Sequence, residues 1–300
     1  MSILVDENTR LLVQGITGRE GAFHTEQMLE YGTRIVAGVT PGKGGQTVAG
    51  VPVYNTVREA VEQTGANASV LFVPAAYTAE GALEAMEAGL PLVIAIAEHV
   101  PVHDMIQVAS LSRTKGCRVI GPNSFGVISP GRSKAGFMAH RIFSPGNVGI
   151  LSRSATNCYE TVFMMTSEGI GQSTCVGVGG DMIPGSSFAD LLPLLEADPQ
   201  TKVIVLIGEI GGSDEEAAAA YIKEHVTKPV VAMIAGRNAP RGRSMGHAGA
   251  IVAADGTGSA ENKERRLKGA GAILADSTQH IVEITAKLLQ HGHRKEQTLG

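Results

Sequence analysis

Gly15-Ile16-Thr17-Gly18-Arg19-Glu20-Gly21 lies between a short apolar run, Leu11-Leu12-Val13, and an amphipathic segment at residues 22–31. The apolar run predicts a β-strand, and the segment that follows predicts a helix. Glycines in such a turn let the backbone approach a pyrophosphate, and a helix N-terminus favours negative charge. The spacing is G-x-x-G-x-x-G, which differs from the dinucleotide pattern G-x-G-x-x-G. A tight turn that needs glycine only for its geometry is therefore the alternative.

The alternation of apolar runs with helical patterns continues through the first half of the chain. Strands are predicted at residues 35–39, 70–73 and 92–96, and helices at 57–64, 79–88 and 105–115. Apolar strands separated by amphipathic helices are typical of an α/β fold with a parallel sheet covered on both faces. With right-handed crossovers, residues 1–125 are predicted to form a Rossmann-like domain.

A second series of strands and helices follows a stretch rich in Gly, Pro and Ser. This stretch indicates a linker at residues 126–146. Beyond it, strands are predicted at 148–151, 174–178, 203–207 and 230–234, and helices up to residue 167, at 188–196 and at 215–225. We therefore predict a flavodoxin-like second domain over residues 147–300.

The composition excludes several classes of protein. Of 300 residues, 43% are hydrophobic, 18% are charged and 38 are glycine, which allows two folded domains and excludes wholesale disorder. The net charge is −4 without a long basic run, so we expect no nucleic-acid or membrane partner. The three cysteines lack metal-type spacing, which predicts a reducing compartment and no metal site. With neither a signal peptide nor an apolar stretch of membrane-spanning length, the sequence predicts a cytoplasmic protein.

The second predicted strand ends in a glycine-rich loop, Val39-Thr40-Pro41-Gly42-Lys43-Gly44-Gly45. NAD-binding folds typically carry Asp or Glu about 20 residues after the glycine turn, where it holds the ribose 2′-hydroxyl. Lys43 suits a phosphate or a phosphorylated ribose instead, and a solvated loop lysine is the alternative. Together with the glycine turn, Lys43 favours coenzyme A, which has a 3′-phosphate and a pyrophosphate, over NAD.

Other predicted strand ends carry small or polar residues, and ligands collect at the carboxyl ends of parallel strands. Residues 73–75, 95–98 and 121–124 are such ends in the first domain. Glu98 suits a ligand contact, with a place near a helix N-terminus as the alternative, and Asn123 is first a turn former. In the second domain, residues 151–156 predict an anion site at a helix start, with simple N-capping by Ser154 as the alternative. This segment is not a G-x-S-x-G elbow, which excludes a serine hydrolase.

A loop rich in Gly and Pro, residues 236–250, follows a predicted buried strand and contains His247. Small neighbours leave the imidazole accessible, and a neutral imidazole nitrogen is a competent nucleophile toward phosphorus. Its second nitrogen needs an acceptor that fixes the tautomer, and Glu209 at another strand end is the candidate. Three arginines just upstream favour phosphate, namely Arg237, Arg241 and Arg243. A structural loop histidine is the alternative.

Six blocks of the sequence share the motifs of one enzyme family. The blocks are Thr40-Pro41-Gly42-Lys43-Gly44-Gly45, Gly121-Pro122-Asn123, Gln172-Ser173-Thr174-Cys175-Val176-Gly177, Ile207-Gly208-Glu209-Ile210-Gly211-Gly212, Lys223-Glu224-His225-Val226-Thr227-Lys228-Pro229 and Gly246-His247-Ala248-Gly249-Ala250. They resemble the α subunit of succinyl-CoA synthetase. The similarity is collinear from residue 1 to about residue 254 and is weaker beyond it.

The resemblance implies an N-terminal CoA-binding domain, a C-terminal phosphohistidine domain and an ATP-grasp β subunit as partner, in an αβ or α2β2 assembly. It also implies that ATP or GTP binds with Mg²⁺ to that β subunit. Carried over by position, the CoA contacts are Thr17, Gly18, Arg19, Glu20, Lys43, Ile96, Ala97 and Glu98. The resemblance places Tyr159 at the carboxylate site with Ser154 and Thr156, and Glu209 beside phosphorylated His247.

The family reaction has three steps. A nucleotide phosphorylates the histidine, the phosphoryl group moves to a carboxylate, and the CoA thiol displaces phosphate from the acyl phosphate. By the same resemblance, the helix that opens at Ser154 holds the phosphohistidine at its positive end.

The sequence departs from the family pattern near the expected acyl site. The changed positions are Ser124, Phe125, Arg141, Ala155 and Asn157. They leave the acid open among succinate, malate and another small dicarboxylate. The rival interpretations are a CoA-binding module without catalysis, in which His247 is structural, and an NAD oxidoreductase, which Lys43 disfavours.

Overall fold

The structure is a computed structural model that describes residues 2–240, 242, 245–253 and 256–298, the last eight of them without side chains. The chain forms two compact units. The N-terminal unit contains Leu4–His140 and Val176–Ser186, and the C-terminal unit contains Met1–Ile3, Arg141–Cys175 and Ser187–Gly300. Both units are α/β with parallel strands, which confirms the predicted fold class. The domain limits at residues 125 and 147 stay a prediction.

The N-terminal unit contains a seven-stranded sheet with the order β3-β4-β2-β1-β5-β6-β7. Its strands are β1 Leu11–Gln14, β2 Ile35–Val39, β3 Thr47–Val48, β4 Val51–Tyr54, β5 Ala68–Leu71, β6 Leu92–Ala95 and β7 Arg118–Ile120. Its helices are α1 Arg19–Glu30, α2 Val57–Thr64, α3 Ala75–Glu87 and α4 Val102–Lys115. All residues of β1, β5 and β6 are buried, as expected for central strands that helices cover on both faces.

The order of the strands creates a switch point beside β1. From β1 the chain crosses to β2 on one side and later reaches β5 on the other, and β1 is parallel to both. The turns that leave β1 and β5 therefore diverge and open a crevice at the carboxyl ends of these strands, where α/β folds bind ligands. The Gly15–Gly21 turn follows β1 and lies at this crevice.

Two antiparallel hairpins supplement the parallel strands of this unit, and the sequence patterns did not predict them. Strands β3 and β4 pair through Thr47 and Pro52. The second hairpin consists of β8 Gly126–Ser129 and β9 Ser133–Gly136, both inside the segment 126–146 that we expected to be a linker. All eight residues of β8 and β9 are buried.

The strands of the C-terminal unit are ordered β14-β13-β12-β10-β11. They are β10 Pro145–Ser152, β11 Gln172–Gly177, β12 Val203–Glu209, β13 Val230–Ala235 and β14 Ile273–Leu274, and the last two residues of β11 belong to the N-terminal unit. The helices are α5 Ala155–Ser167, α6 Phe188–Ala197, α7 Asp214–His225, α8 Ala260–Gly269 and α9 Thr278–Thr298. Across the part of the chain that the structure describes, no helix combines the length and the apolar character that a membrane span requires.

The start of α7 contacts the start of α6 through a carboxylate with a raised pKa. The carboxylate of Asp214 accepts the N–H of Phe188 at 3.2 Å. Burial raises the pKa of Asp214 to about 6, and the negative charge of Glu215 adds to this, while Arg153 and Lys263 oppose it. Asp214 therefore binds its proton more tightly in the folded chain than in the unfolded chain, so its ionisation destabilises the fold.

We predict that Asp214→Asn stabilises the protein above pH 6 and has little effect below pH 4. The folded pKa of about 6 exceeds the ordinary value of 3.8. Stability in the wild type is therefore lost as the pH rises through this range, whereas Asn cannot ionise and still accepts the Phe188 N–H. The gain above pH 6 should be about 1–2 kcal/mol. Thermal unfolding of both proteins between pH 4 and pH 8 measures it, and a difference that is the same at every pH would contradict the prediction.

Glu196 on α6 provides a control of opposite sign. Burial raises the pKa of Glu196. Hydrogen bonds from the hydroxyl and N–H of Thr227 and from the N–H of Lys228 lower this pKa by a larger amount, so the net shift is downward. Ionised Glu196 therefore stabilises the fold at neutral pH, and this contribution is lost as the pH falls. Glu196→Gln should accordingly be less stable than wild type at pH 8, with a difference that shrinks in acid.

Candidate active site

His247 lies beside a buried carboxylate in the C-terminal unit. Its Nδ1 is 2.6 Å from Oε2 of Glu209, and Oε1 of Glu209 is 3.1 Å from Nε of Arg153. The side chains of Arg153 and Glu209 are 5% and 8% exposed, whereas that of His247 is 28% exposed. The three side chains thus form a line of polar contacts that runs from the buried guanidinium of Arg153 through the Glu209 carboxylate to an accessible imidazole.

Two adjacent strand ends bring Arg153 and Glu209 together. Strands β10 and β12 are parallel, and Ser152 pairs with Ile207. Arg153 follows β10 directly, and its N–H donates to the carbonyl oxygen of Ile207 at 3.0 Å. Because Glu209 is the last residue of β12, the register of the two strands places both side chains at the same edge of the sheet.

Close approach of two backbones fixes the loop that carries His247. Gly211 has a φ of +91°, and a Cβ at this position would lie 2.0 Å from the carbonyl oxygen of Gly249. The N–H of Gly211 donates to Gly258 at 2.8 Å, and the N–H of Ala250 donates to the carbonyl oxygen of His247 at 3.1 Å. Position 211 therefore requires glycine, because any side chain would push the histidine loop away from Glu209.

A second buried ion pair supports the backbone of Glu209. The N–H of Glu209 donates to Oε1 of Glu215 at 3.0 Å, and Oε2 of Glu215 contacts Nζ of Lys263. Lys263 also reaches Glu216 at 3.2 Å. Glu215 and Lys263 are both fully buried, where a charge without a partner would be costly. The pair ties the end of β12 to α7 and α8.

The contact with Glu209 assigns the proton on the imidazole. An ionised carboxylate only accepts hydrogen bonds. Nδ1 of His247 therefore carries the proton and donates a hydrogen bond to Oε2 of Glu209. Nε2 then has a lone pair and is the nucleophilic nitrogen. When Nε2 attacks an electrophile, the ring becomes positively charged, and the carboxylate of Glu209 stabilises this charge.

The predicted carboxylate-site residues all lie on or beside α5. Ser154 is the N-cap of this helix and accepts the N–H of Asn157 at 3.3 Å, so the capping alternative describes its hydroxyl in this structure. Thr156 is exposed in the first turn. Tyr159 packs edge-on against Phe143, with ring centroids 6.4 Å apart. Burial raises the pKa of Tyr159 well above its ordinary value, so its phenol is neutral at physiological pH.

Of the three arginines that were predicted to favour phosphate near His247, only Arg237 lies among the residues that the structure describes. Arg237 pairs with Glu264 at 2.7 Å and with Asp276 at 3.3 Å. Arg241 and Arg243 lie outside the residues that the structure describes. The guanidinium that contacts the Glu209 carboxylate belongs to Arg153, which lies in the predicted helix start at residues 151–156. Its spacing from Glu209 in the chain carries no signal, because the two meet only through strand pairing.

The glycine turn in the N-terminal unit forms an open helix start. Gly18 is the N-cap of α1, and its N–H donates to the carbonyl oxygen of Gly15 at 3.0 Å. A Cβ at Gly21 would lie 2.1 Å from the same oxygen, so the helix can begin this close to β1 only with glycine at position 21. An anion can approach the first N–H groups of α1 at this switch point.

The loop after β2 lies against this turn. Oγ1 of Thr17 is 3.1 Å from Oγ1 of Thr40, and the N–H of Gly15 donates to Val39 at 2.8 Å. The N–H of Lys43 donates to the carbonyl oxygen of Thr40 at 3.1 Å, and the side chain of Lys43 is exposed. The structure therefore brings the glycine turn and the lysine loop together at adjacent strand ends.

The other predicted CoA contacts occupy the same end of the sheet. Arg19 and Glu20 open α1 and form an exposed ion pair at 3.0 Å. Ile96 and Ala97 follow β6 and are half-buried, and Glu98 is exposed. All eight predicted residues thus follow the carboxyl ends of β1, β2 or β6. Their roles in binding stay a prediction.

Two protein families match separate parts of the chain. Residues 6–99 match the CoA binding domain family, and residues 151–283 match the CoA-ligase family. The ADP-forming succinate–CoA ligase subunit alpha 2 of Archaeoglobus fulgidus is 52% identical over 289 residues, which are 96% of this chain and 100% of that protein. The corresponding alpha subunit of Methanothermobacter thermautotrophicus is 54% identical over 95% of this chain and 97% of its own length.

The chain belongs to the succinate–CoA ligase α subunit family. Membership confirms the predicted enzyme class, a ligase, and the predicted CoA-binding domain. It also disfavours an NAD oxidoreductase, because the glycine turn and Lys43 both lie within the matched CoA-binding region.

Solved structures extend the comparison to more distant proteins. ATP citrate lyase from Methanothrix soehngenii, in complex with citrate and coenzyme A, is 28% identical, with a TM-score of 0.87 over 97% of this chain. The present chain spans about half, 52%, of the length of that lyase chain. A dinucleotide-forming acetyl-coenzyme A synthetase of Candidatus Korarchaeum cryptofilum is 22% identical, with a TM-score of 0.73 over 94% of this chain and 61% of its own, and shares the fold.

The positions that depart from the family pattern fall into three environments. Ser124 and Phe125 are buried, and the Ser124 hydroxyl donates to Gly177 at 2.5 Å and accepts the N–H of Gly126 at 2.9 Å. Ala155 and Asn157 lie in the first turn of α5, and Asn157 lines a cavity of about 440 Å³ at the end of β13. Arg141 lies in a short 3₁₀ turn, His140–Ile142. The serine and phenylalanine are thus packing residues within their unit.

We predict that Arg153→Met destabilises the succinate–CoA ligase α chain by about 3 kcal/mol, because it leaves the buried Glu209 carboxylate without its guanidinium. The double variant Arg153→Met/Glu209→Gln should be more stable than Arg153→Met alone, since it removes both charges. Urea unfolding of the wild type, Arg153→Met, Glu209→Gln and the double variant gives the coupling free energy between the two positions.

Arg237→Met is the matched control for this cycle. Arg237 also pairs with a carboxylate, that of Glu264, but its own side chain is 51% exposed. Exposed ion pairs contribute about 0–1 kcal/mol, so this variant should lose no more than that. Equal losses for Arg153→Met and Arg237→Met would show that burial of the Arg153–Glu209 pair is energetically unimportant.

Proposed function

We propose that this family member ligates succinate to coenzyme A while ATP is converted to ADP and phosphate. An ATP-grasp β subunit would bind ATP and Mg²⁺. The observation that carries the proposal is the accessible imidazole of His247. Its Nδ1 contacts the Glu209 carboxylate, and the other oxygen of that carboxylate contacts Arg153. The relatives that are 52% and 54% identical are ADP-forming succinate–CoA ligase subunits, which supports succinate and ATP as substrates.

In the first step, Nε2 of His247 attacks the γ-phosphorus of ATP. The N–P bond forms as the P–O bond to ADP breaks, and ADP leaves with the bonding electrons. The Nδ1 proton remains on the ring and bonds to Oε2 of Glu209, 2.6 Å away. Glu209 therefore offsets the positive charge of the phosphorylated imidazole, and the Arg153 guanidinium lies 3.1 Å from the same buried carboxylate.

In the second step, a carboxylate oxygen of succinate attacks the phosphorus, the N–P bond breaks and neutral His247 returns. In the third step, the thiol sulfur of coenzyme A attacks the acyl carbon. The C–O bond to phosphate breaks, the thioester forms and the thiol proton is released. The first-turn N–H groups of α5, which follow Ser154, would stabilise the transferred phosphoryl group.

The N-terminal unit would hold coenzyme A at the carboxyl ends of β1, β2 and β6. The pyrophosphate suits the N-terminus of α1, where Gly21 lets the helix begin beside Gly15. Exposed Lys43 suits the 3′-phosphate as a point charge. The match of residues 6–99 to the CoA binding domain family and the likeness to a lyase solved with coenzyme A support this assignment.

We predict that His247→Ala abolishes phosphorylation of the chain. With radiolabelled ATP and the β subunit, the wild type should acquire phosphate that is labile in acid and stable in alkali. His225→Ala is the matched control, because His225 is a half-exposed histidine on α7 that should leave labelling unchanged. Glu209→Gln should slow labelling at least about tenfold, since it loses the charge that stabilises the phosphorylated ring.

Labelling of His247→Ala at the wild-type rate would rule out the phosphohistidine. The rival interpretation is a CoA-binding module in which His247 is structural. That alternative predicts binding of CoA by the chain but no acid-labile phosphate in either protein.

We predict that succinate is the preferred acid among succinate, malate, itaconate and citrate. The measurement is thioester formation by the chain with its β subunit, with kcat/KM compared between acids. Succinate should exceed malate at least about tenfold, because a buried hydroxyl without a partner is costly to bind. A preference for malate would establish the alternative of a malate–CoA ligase, and Asn157→Leu would then test whether the Asn157 amide recognises the hydroxyl.

A further inference from the structure

A buried aspartate in the N-terminal unit holds the loop that follows β6. Asp181 is 4% exposed and belongs to the segment Val176–Ser186. Its Oδ2 accepts the N–H of Val100 at 3.1 Å, and its Oδ1 accepts the N–H of His99 at 3.4 Å and Nδ2 of Asn123 at 3.2 Å. One carboxylate thus joins the segments that follow β6 and β7 to a third segment of the chain.

The backbone of this loop needs such support. His99 has a φ of +61° and Asn123 a φ of +54°, a left-handed region that is uncommon for residues with a side chain, although asparagine and histidine adopt it more often than most. The N–H of Asn123 donates to the carbonyl oxygen of Ala97 at 2.7 Å, and the N–H of Gly180 donates to Asn123 at 3.2 Å. If the amides of His99 and Val100 lost their acceptor, the loop would relax toward ordinary dihedral angles and residues 96–98 would move.

We propose that Asp181 is a positioning residue for coenzyme A. Its carboxylate fixes the backbone of Ile96, Ala97 and Glu98 in the geometry that receives the ligand, while Asp181 itself bonds to His99, Val100 and Asn123. This inference rests on the proposed function, because it takes residues 96–98 as part of the CoA site.

An ionised carboxylate suits this place better than an amide. Three N–H donors converge on Asp181, and a group that only accepts hydrogen bonds can satisfy all of them. Asparagine has nearly the same volume, but its NH₂ group would face one of these donors. Asp181→Asn therefore changes charge and the number of acceptors with little change in packing.

The test is Asp181→Asn in the full-length chain, with CoA binding measured by titration calorimetry. We expect the Kd for CoA to rise at least about tenfold, because the loop loses charge-assisted hydrogen bonds. CoA takes no part in phosphorylation of His247, so the rate of labelling by ATP in the complex with the β subunit should change by less than about twofold. In the complete reaction, the KM for CoA should rise while the KM for the acid stays constant.

Glu84→Gln is the matched control. Glu84 also accepts a backbone N–H within the N-terminal unit, that of Val57 at 2.8 Å, but on α3. Loss of its charge should leave the Kd for CoA within about twofold of wild type. If Asp181→Asn does not fold, Asn123→Gly is the second variant. It removes the amide donor to Asp181, and glycine adopts the φ of this position freely. This variant should still raise the Kd for CoA about threefold or more.

The outcomes separate this inference from the proposed function. If the wild-type chain does not bind CoA, the proposed CoA site is wrong. If the wild type binds CoA and the folded Asp181 or Asn123 variant binds it equally well, the positioning role is wrong. A parallel loss of CoA binding and of His247 phosphorylation would show that Asp181 only stabilises the fold, and would also overturn the inference.

Discussion

The contact between His247 and Glu209 is the interaction on which the proposed chemistry depends. A histidine can accept a phosphoryl group only if one nitrogen has a free lone pair and the charge that develops on the ring is stabilised. Glu209 meets both needs from a buried position, 2.6 Å from Nδ1. A buried carboxylate is costly unless it is paired, and Arg153 provides the partner at 3.1 Å. The register of β10 and β12 places Arg153 and Glu209 side by side.

Glycines determine how closely loops approach strand ends in both units. In the N-terminal unit, Gly21 lets α1 begin where a Cβ would lie 2.1 Å from the carbonyl oxygen of Gly15. In the C-terminal unit, Gly211 lets the loop that carries His247 come close to the end of β12. A Cβ at position 211 would lie 2.0 Å from the carbonyl oxygen of Gly249. In each case a helix start or a nucleophile reaches the sheet edge because one residue has no side chain. The position of the helix start and of the histidine loop is therefore set by how closely the backbone segments approach each other at both sheet edges.

Most of the parallel strands could be predicted because each is a short, continuous apolar run, and β2 and α2 coincide with their predicted limits. The hairpins β3–β4 and β8–β9 could not, since their strands are short and β9 contains Lys134, which is buried only through tertiary packing. Among site residues, His247, Glu209 and Lys43 stand in recognisable motifs. Arg153 and Asp181 carry no such signal, because their partners are distant in sequence.

The sequence by itself determined the fold class, the family and the identity of the candidate nucleophile, because these depend on local periodicity and on motifs of a few adjacent residues. Only the tertiary structure decided which cation pairs with Glu209, since Arg153 reaches this carboxylate through the pairing of β10 with β12. It also decided that Asp181 holds the loop after β6. The physical reason is that a buried charge is neutralised by whichever group the packing brings within hydrogen-bond distance, and separation along the chain does not encode that distance.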